Sequence, residues 1–144
     1  MSGIIEYMTG EHRRCDAVFA EAENAAAAKD WKKASDKCAE FSKDLDRHLR
    51  MEEEILFPAF EAATGMTQGP TQVMRMEHAQ MRKALDELDR AVNSQDVDAY
   101  AGESETLHIL MQQHNMKEEQ VLYPMAEQHL SGESGDLIRR MQAI

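Results

Sequence analysis

A duplicated stretch constrains this chain more than any other feature. The segment His48-Leu49-Arg50-Met51-Glu52-Glu53-Glu54-Ile55-Leu56-Phe57-Pro58 recurs as His114-Asn115-Met116-Lys117-Glu118-Glu119-Gln120-Val121-Leu122-Tyr123-Pro124, an offset of 114 − 48 = 66 positions. Under that shift His48 falls on His114, Glu52 on Glu118, Glu53 on Glu119, Leu56 on Leu122 and Pro58 on Pro124. Ile55 and Phe57 meet the similar Val121 and Tyr123, and Glu11-His12 lands on Glu77-His78. Each half thus carries one lone histidine followed by His-x-x-x-Glu. The halves read as two versions of one helix pair, an internal two-fold pseudo-repeat over about 9–64 and 70–130.

The 144 residues suit a single domain, 1–144, long enough to bury a sizeable core. With only three prolines and seven glycines among many Ala, Leu, Met, Glu, Gln, Lys and Arg, the composition is helical. Thr9 is a candidate N-cap for a first helix running to about Ala28, with Cys15, Phe19, Ala22, Ala26 and His12 on one face. Asp30 can cap a second helix whose stripe holds Ala34, Cys38, Phe41, Leu45, His48, Glu52 and Ile55. Pro58 either kinks that helix or opens a final short turn, and Gly65 is a natural stop. Pro70 suits the start of a third helix, striped with Met74, His78, Met81, Leu85, Leu88 and Val92. Asp96 can cap a fourth, bearing Leu107, Met111, His114, Glu118, Val121 and Met125, and a tail helical from about Asp136 follows. Short connections between amphipathic helices predict an all-α, antiparallel up-down-up-down four-helix bundle with a short C-terminal helix or tail.

The formal charge of −11 sets the chain against nucleic acid, whose phosphates it would repel. No run of about 18 apolar residues exists, so no membrane span is expected. The N-terminal stretch lacks the basic and apolar regions of a signal peptide. Cys15 and Cys38 fit no Cys-x-x-Cys pattern and read as buried thiols of a reducing cytoplasm.

Positions four apart stack on one helix face, so His48 projects with Glu52 and His114 with Glu118. Both pairs fall on apolar stripes, where a carboxylate without a partner costs several kcal/mol or takes up a proton. Nothing basic occupies those stripes, since Arg50 and Lys117 point elsewhere. A lone His12 or His78 would ordinarily be a hydrogen-bonded core histidine, and a single His-x-x-x-Glu a surface pair. Four histidines and two glutamates recurring on inward stripes with one offset instead indicate a bound cation. His108, about 120° around the helix from His114, and His129, near the bundle end, stand outside the set. The methionines at core spacing read as flexible filler. The mixed nitrogen and oxygen shell suits iron or manganese, and two carboxylates suit bridging of two ions about 3.5–4 Å apart. An open position at each ion would take a diatomic molecule or peroxide.

At these residues the chain resembles the hemerythrin-like, or HHE cation-binding, family, from Glu11-His12 through His48-x-x-x-Glu52-Glu53 and Glu77-His78 to His114-x-x-x-Glu118-Glu119. The resemblance implies a four-helix bundle around a non-haem, oxo- or hydroxo-bridged pair of iron ions, with manganese or zinc as substitutes. It also implies His12, His48, His78 and His114 as ligands and Glu52 and Glu118 as bridges. The oxygen carriers have a second histidine where this chain has Met74, and an aspartate where it has Glu119. The pattern is closer to the four-His, two-Glu variety, similar to iron-sulfur-cluster repair proteins. The function expected is binding or sensing of oxygen, nitric oxide or peroxide. The alternative is an enzyme or iron donor that reduces peroxide or nitric oxide or serves cluster repair.

Overall fold

A computed structural model describes residues 3–144; residues 1–2 of the expected domain lie outside that description. Four long helices, α1 (Ile4–Ala27), α2 (Trp31–Met51), α4 (Pro70–Asn93) and α5 (Val97–Lys117), form a helical bundle. Three short ones, α3 (Phe57–Thr64), α6 (Tyr123–Leu130) and α7 (Ser134–Gln142), complete it, and no strand occurs among the described residues. Helix α1 packs on α2 and α5, and α4 packs on α2 and α5.

The caps follow the sequence closely. Asp30 accepts a hydrogen bond from the Lys33 amide and Asp96 from the amides of Asp98 and Ala99, each satisfying donors that a first helical turn leaves unpaired. Gly65 ends α3 at φ +74°, the left-handed conformation that glycine adopts without a Cβ penalty. The start of α1 differs from expectation. Gly3, not Thr9, precedes the first turn, because Ile4 and Met8 are fully buried and extend the apolar stripe beyond Thr9. Helix α7 likewise begins at Ser134, two residues before Asp136.

Both repeated segments contain a widened π turn, Glu52–Leu56 and Glu118–Leu122. The Phe57 and Tyr123 amides donate to the Glu52 and Glu118 carbonyls, five residues back. Proline follows immediately in each case. Its ring cannot sit against the carbonyl four residues back, and the wider turn makes the room. Pro58 therefore opens the short helix α3 rather than kinking α2, and Pro124 opens α6. The extra residue in the turn also moves the stripe. Leu56 with Phe57, and Leu122 with Tyr123, are buried, while Val121 is exposed and Ile55 and Met125 only half-buried. The expected stripe residues Ile55, Val121 and Met125 are corrected accordingly.

The core divides into two clusters. One gathers Phe19, Phe41, Leu45, Met81, Leu88, Leu107 and Met111, with Phe19 and Phe41 rings 5.1 Å apart. The other gathers Met8, Met51, Phe57, Phe60, Met74, Leu122 and Tyr123, and α7 adds Leu137 and Met141. Arg47 ties that end down by donating to the carbonyls of Gln142 and Ile144 at 3.1 Å. Along α1 and α4 the site histidine stands where one cluster gives way to the other: His12 between Met8 and Cys15, His78 between Met74 and Met81. No helix among the described residues is long and apolar enough to cross a membrane.

Candidate metal centre

All six residues singled out by the repeat come together in the interior. Glu52, His78 and Glu118 have no exposed surface, and His12, His48 and His114 are buried with them. The Glu52 Oε1 atom lies 3.1 Å from His78 Nε2 and 3.6 Å from His48 Nε2. Glu118 presents Oε1 to His12 Nε2 at 3.1 Å and Oε2 to His114 Nε2 at 3.3 Å. The imidazoles pair edge-on, His12 with His48 at 4.8 Å and 62°, His78 with His114 at 4.9 Å and 61°. Two groups of potential ligand atoms result, each lying within 4.8 Å of one another: Glu52, His78, His114 and Glu118, and His12, His48 and Glu118.

The outer nitrogens explain how the rings are aimed. His12 Nδ1 meets Glu119 Oε2 at 2.6 Å, His78 Nδ1 meets Glu53 Oε2 at 2.7 Å, and His114 Nδ1 meets Glu77 Oε1 at 2.8 Å. A carboxylate accepting from Nδ1–H orients the ring so that Nε2 faces inward. These carboxylates are anchored in turn. Arg82 donates to both oxygens of Glu53, at 2.7 and 3.0 Å, and Lys117 pairs with Glu77. Burial would raise both carboxyls, but Arg82 and His78 hold Glu53 below its ordinary range, as Lys117 and His114 hold Glu77. His48 is the exception. Its Nδ1 has no partner among the described residues, and Glu11, the counterpart of Glu77, faces Arg14 at 3.0 Å instead.

The inward atoms fit a cation. His48 Nε2, His78 Nε2, His114 Nε2, Glu52 Oε1 and Glu118 Oε2 are buried without a hydrogen-bond partner among the described residues. Orphans of this kind are rare in native interiors and call for an ion or water to satisfy them. Here lone pairs and carboxylate oxygens converge with no basic side chain among them, an arrangement whose missing positive charge a divalent cation would supply. The protein's own protons manage this only in part. Burial and the neighbouring Glu118 charge raise the Glu52 carboxyl; for Glu118, burial is outweighed by hydrogen bonds from Glu52, His114 and His12, which hold it low.

Arg50 and Lys117 lie away from the cluster, pairing with Glu54 and Glu77, and His108 and His129 are exposed, as expected. Cys15 and Cys38 are both buried and unlinked, and burial pushes the Cys15 thiol up to about 12. Sequence reasoning gave no role to Glu53, Glu77 and Glu119, although the repeat sets Glu53 and Glu119 beside Glu52 and Glu118, and Glu77 beside His78. It also passed over Tyr123. That hydroxyl lies 2.7 Å from Glu52 Oε2, 2.9 Å from Glu118 Oε1 and 3.1 Å from His12 Nε2. The signal was a phenol replacing Phe57 at a repeated apolar position.

No curated protein and no solved structure shows a significant match to the chain. The family model for the hemerythrin HHE cation binding domain matches residues 3–126. That span takes in the four long helices, both π turns and every residue of the buried His/Glu cluster, and the chain belongs to the hemerythrin HHE cation-binding family.

Proposed function

We propose that His12, His48, His78 and His114, with Glu52 and Glu118 as bridges, hold two iron ions, and that the protein binds or senses a small oxidant there. The oxidant is oxygen, nitric oxide or peroxide. One observation carries the metal reading: five buried nitrogen and oxygen atoms without partners among the described residues, aimed inward from α2, α4, α5 and the π turns that follow α2 and α5, with no basic residue at that point. Iron is favoured because the donors are imidazole and carboxylate without thiolate, and because members of this family are built for cations. When bound, the iron pair would supply one-electron redox chemistry and open positions for a small ligand. The chain's own contribution is to orient the rings through Glu53, Glu77 and Glu119 and to keep bulk water away by full burial.

The same reading takes the molecule as one domain of two hairpins running up-down-up-down. Matching ring pairs at 4.8 and 4.9 Å and the two π turns support an internal repeat. Contacts of Glu11 in α1 with Arg47 in α2, and of Glu23 in α1 with Ser104 in α5, support the alternating directions. A cytoplasmic setting suits the two unlinked thiols. Freshly purified protein made under iron-replete conditions should carry two irons per chain and near-ultraviolet oxo-bridge absorption that changes on adding nitric oxide or peroxide. Stoichiometric zinc and no iron would overturn the iron assignment.

A further inference from the structure

The two groups of donors are unequal. Four potential ligands surround one position, Glu52, His78, His114 and Glu118, but only three surround the other, His12, His48 and Glu118. The Tyr123 hydroxyl lies 3.1 Å from His12 Nε2, which belongs to the poorer group alone, 2.9 Å from Oε1 of Glu118, which the two groups share, and 2.7 Å from Oε2 of Glu52. We propose that the phenol oxygen of Tyr123 is a seventh protein donor, completing the position held by His12, His48 and Glu118.

Packing does not account for the hydroxyl. In the other half Phe57 lies 5.5 Å from the His78 ring at 28°, and Tyr123 lies 5.6 Å from the His12 ring at 31°. The two aromatic rings occupy equivalent places, and both are fully buried. A bare phenyl ring therefore fills the space in one half, and the oxygen is the only addition in the other. Burying a hydroxyl is unfavourable unless something uses it. The hydroxyl donates to Glu52 Oε2 at 2.7 Å, which holds that oxygen close to the His12 side. To serve as a donor to ferric iron the phenol would give up its O–H proton to solvent, as ligand deprotonation on metal binding requires, and the two positions would then differ chemically, one with a phenolate and one without.

This assignment rests on the metal reading above, and the test separates the two. Protein is loaded with iron, oxidised to the ferric form, and examined for iron content, visible absorption and resonance Raman scattering. The expected result is two irons per chain, a phenolate-to-iron(III) charge-transfer band in the visible, and tyrosinate ring vibrations on excitation into it. In Tyr123→Phe the band and the vibrations should vanish completely in protein that still melts cooperatively, at a lower temperature because the buried Glu52 carboxylate loses its donor. Two irons without a phenolate signature, or a signature that survives in Tyr123→Phe, overturns the proposal and leaves the metal reading standing. Failure to take up iron at all overturns both.

Discussion

Exchanging Glu77 for glutamine probes how the outer carboxylates aim the imidazoles, and the repeat supplies its own control. Glu77 Oε1 accepts from His114 Nδ1 at 2.8 Å while Lys117 holds its other oxygen. Glutamine keeps the shape and one acceptor but loses the charge. A hydrogen bond to a charged group contributes about 1.5–3 kcal/mol against about 0.5–1.5 for a neutral one, so the exchange removes roughly 1–1.5 kcal/mol. That is about tenfold in affinity, at the lower end of the 10–100-fold loss usual when a histidine ligand's partner is altered. The equivalent Glu11→Gln should behave differently, because Glu11 faces Arg14 and Arg47 and leaves the His48 ring without a partner. Competition titration of the metal-free proteins with cobalt(II) against a chromophoric chelator measures both. The reasoning predicts about tenfold weaker binding for Glu77→Gln and no more than about twofold for Glu11→Gln. Equal losses in the two variants, or an unchanged affinity in Glu77→Gln, would refute it.

Removing metal should lower the melting temperature markedly. A ligand at about a thousand times its Kd stabilises the folded state by about 4 kcal/mol, and for a chain of this size that corresponds to roughly 10–15 °C; identical scanning traces with and without chelator would contradict the site. Phe41→Ala removes a fully buried ring packed at a tilt against Phe19, and the urea midpoint should report a loss of about 3–5 kcal/mol. In the metal-free protein two imidazoles set opposing pH trends. Burial depresses His48 to about 3, so its contribution is present above pH 6.5 and is lost as pH falls toward that value. For His114 burial is outweighed by the Glu118 charge, which raises it to about 9; its contribution is present below pH 6.5 and is lost as pH rises through 9. The denaturant midpoint should therefore be higher near pH 6.5 than at pH 4.5 or 9, and a monotonic trend would contradict the assignment.

The sequence by itself determined the four long helices and the six residues that meet at their centre. Burial on a helix follows a 3.6-residue period, so the stripes of His12, His48, His78 and His114 could be read directly, and the 66-residue offset tied them into one set. Caps at Asp30 and Asp96 and the stop at Gly65 were legible because they depend on local backbone chemistry. Tertiary structure decided what lies across helices or depends on the rotation of one turn. Glu119 reaches His12 over 107 positions of sequence, a contact that no periodicity encodes. The π turns rotated Val121 out to solvent and brought Tyr123 against both Glu52 and Glu118, because a widened turn breaks the period used to place them. Glu11 and Glu77 are equivalent in the sequence, yet only Glu77 supports a ring, since the arginines around Glu11 compete for its oxygens.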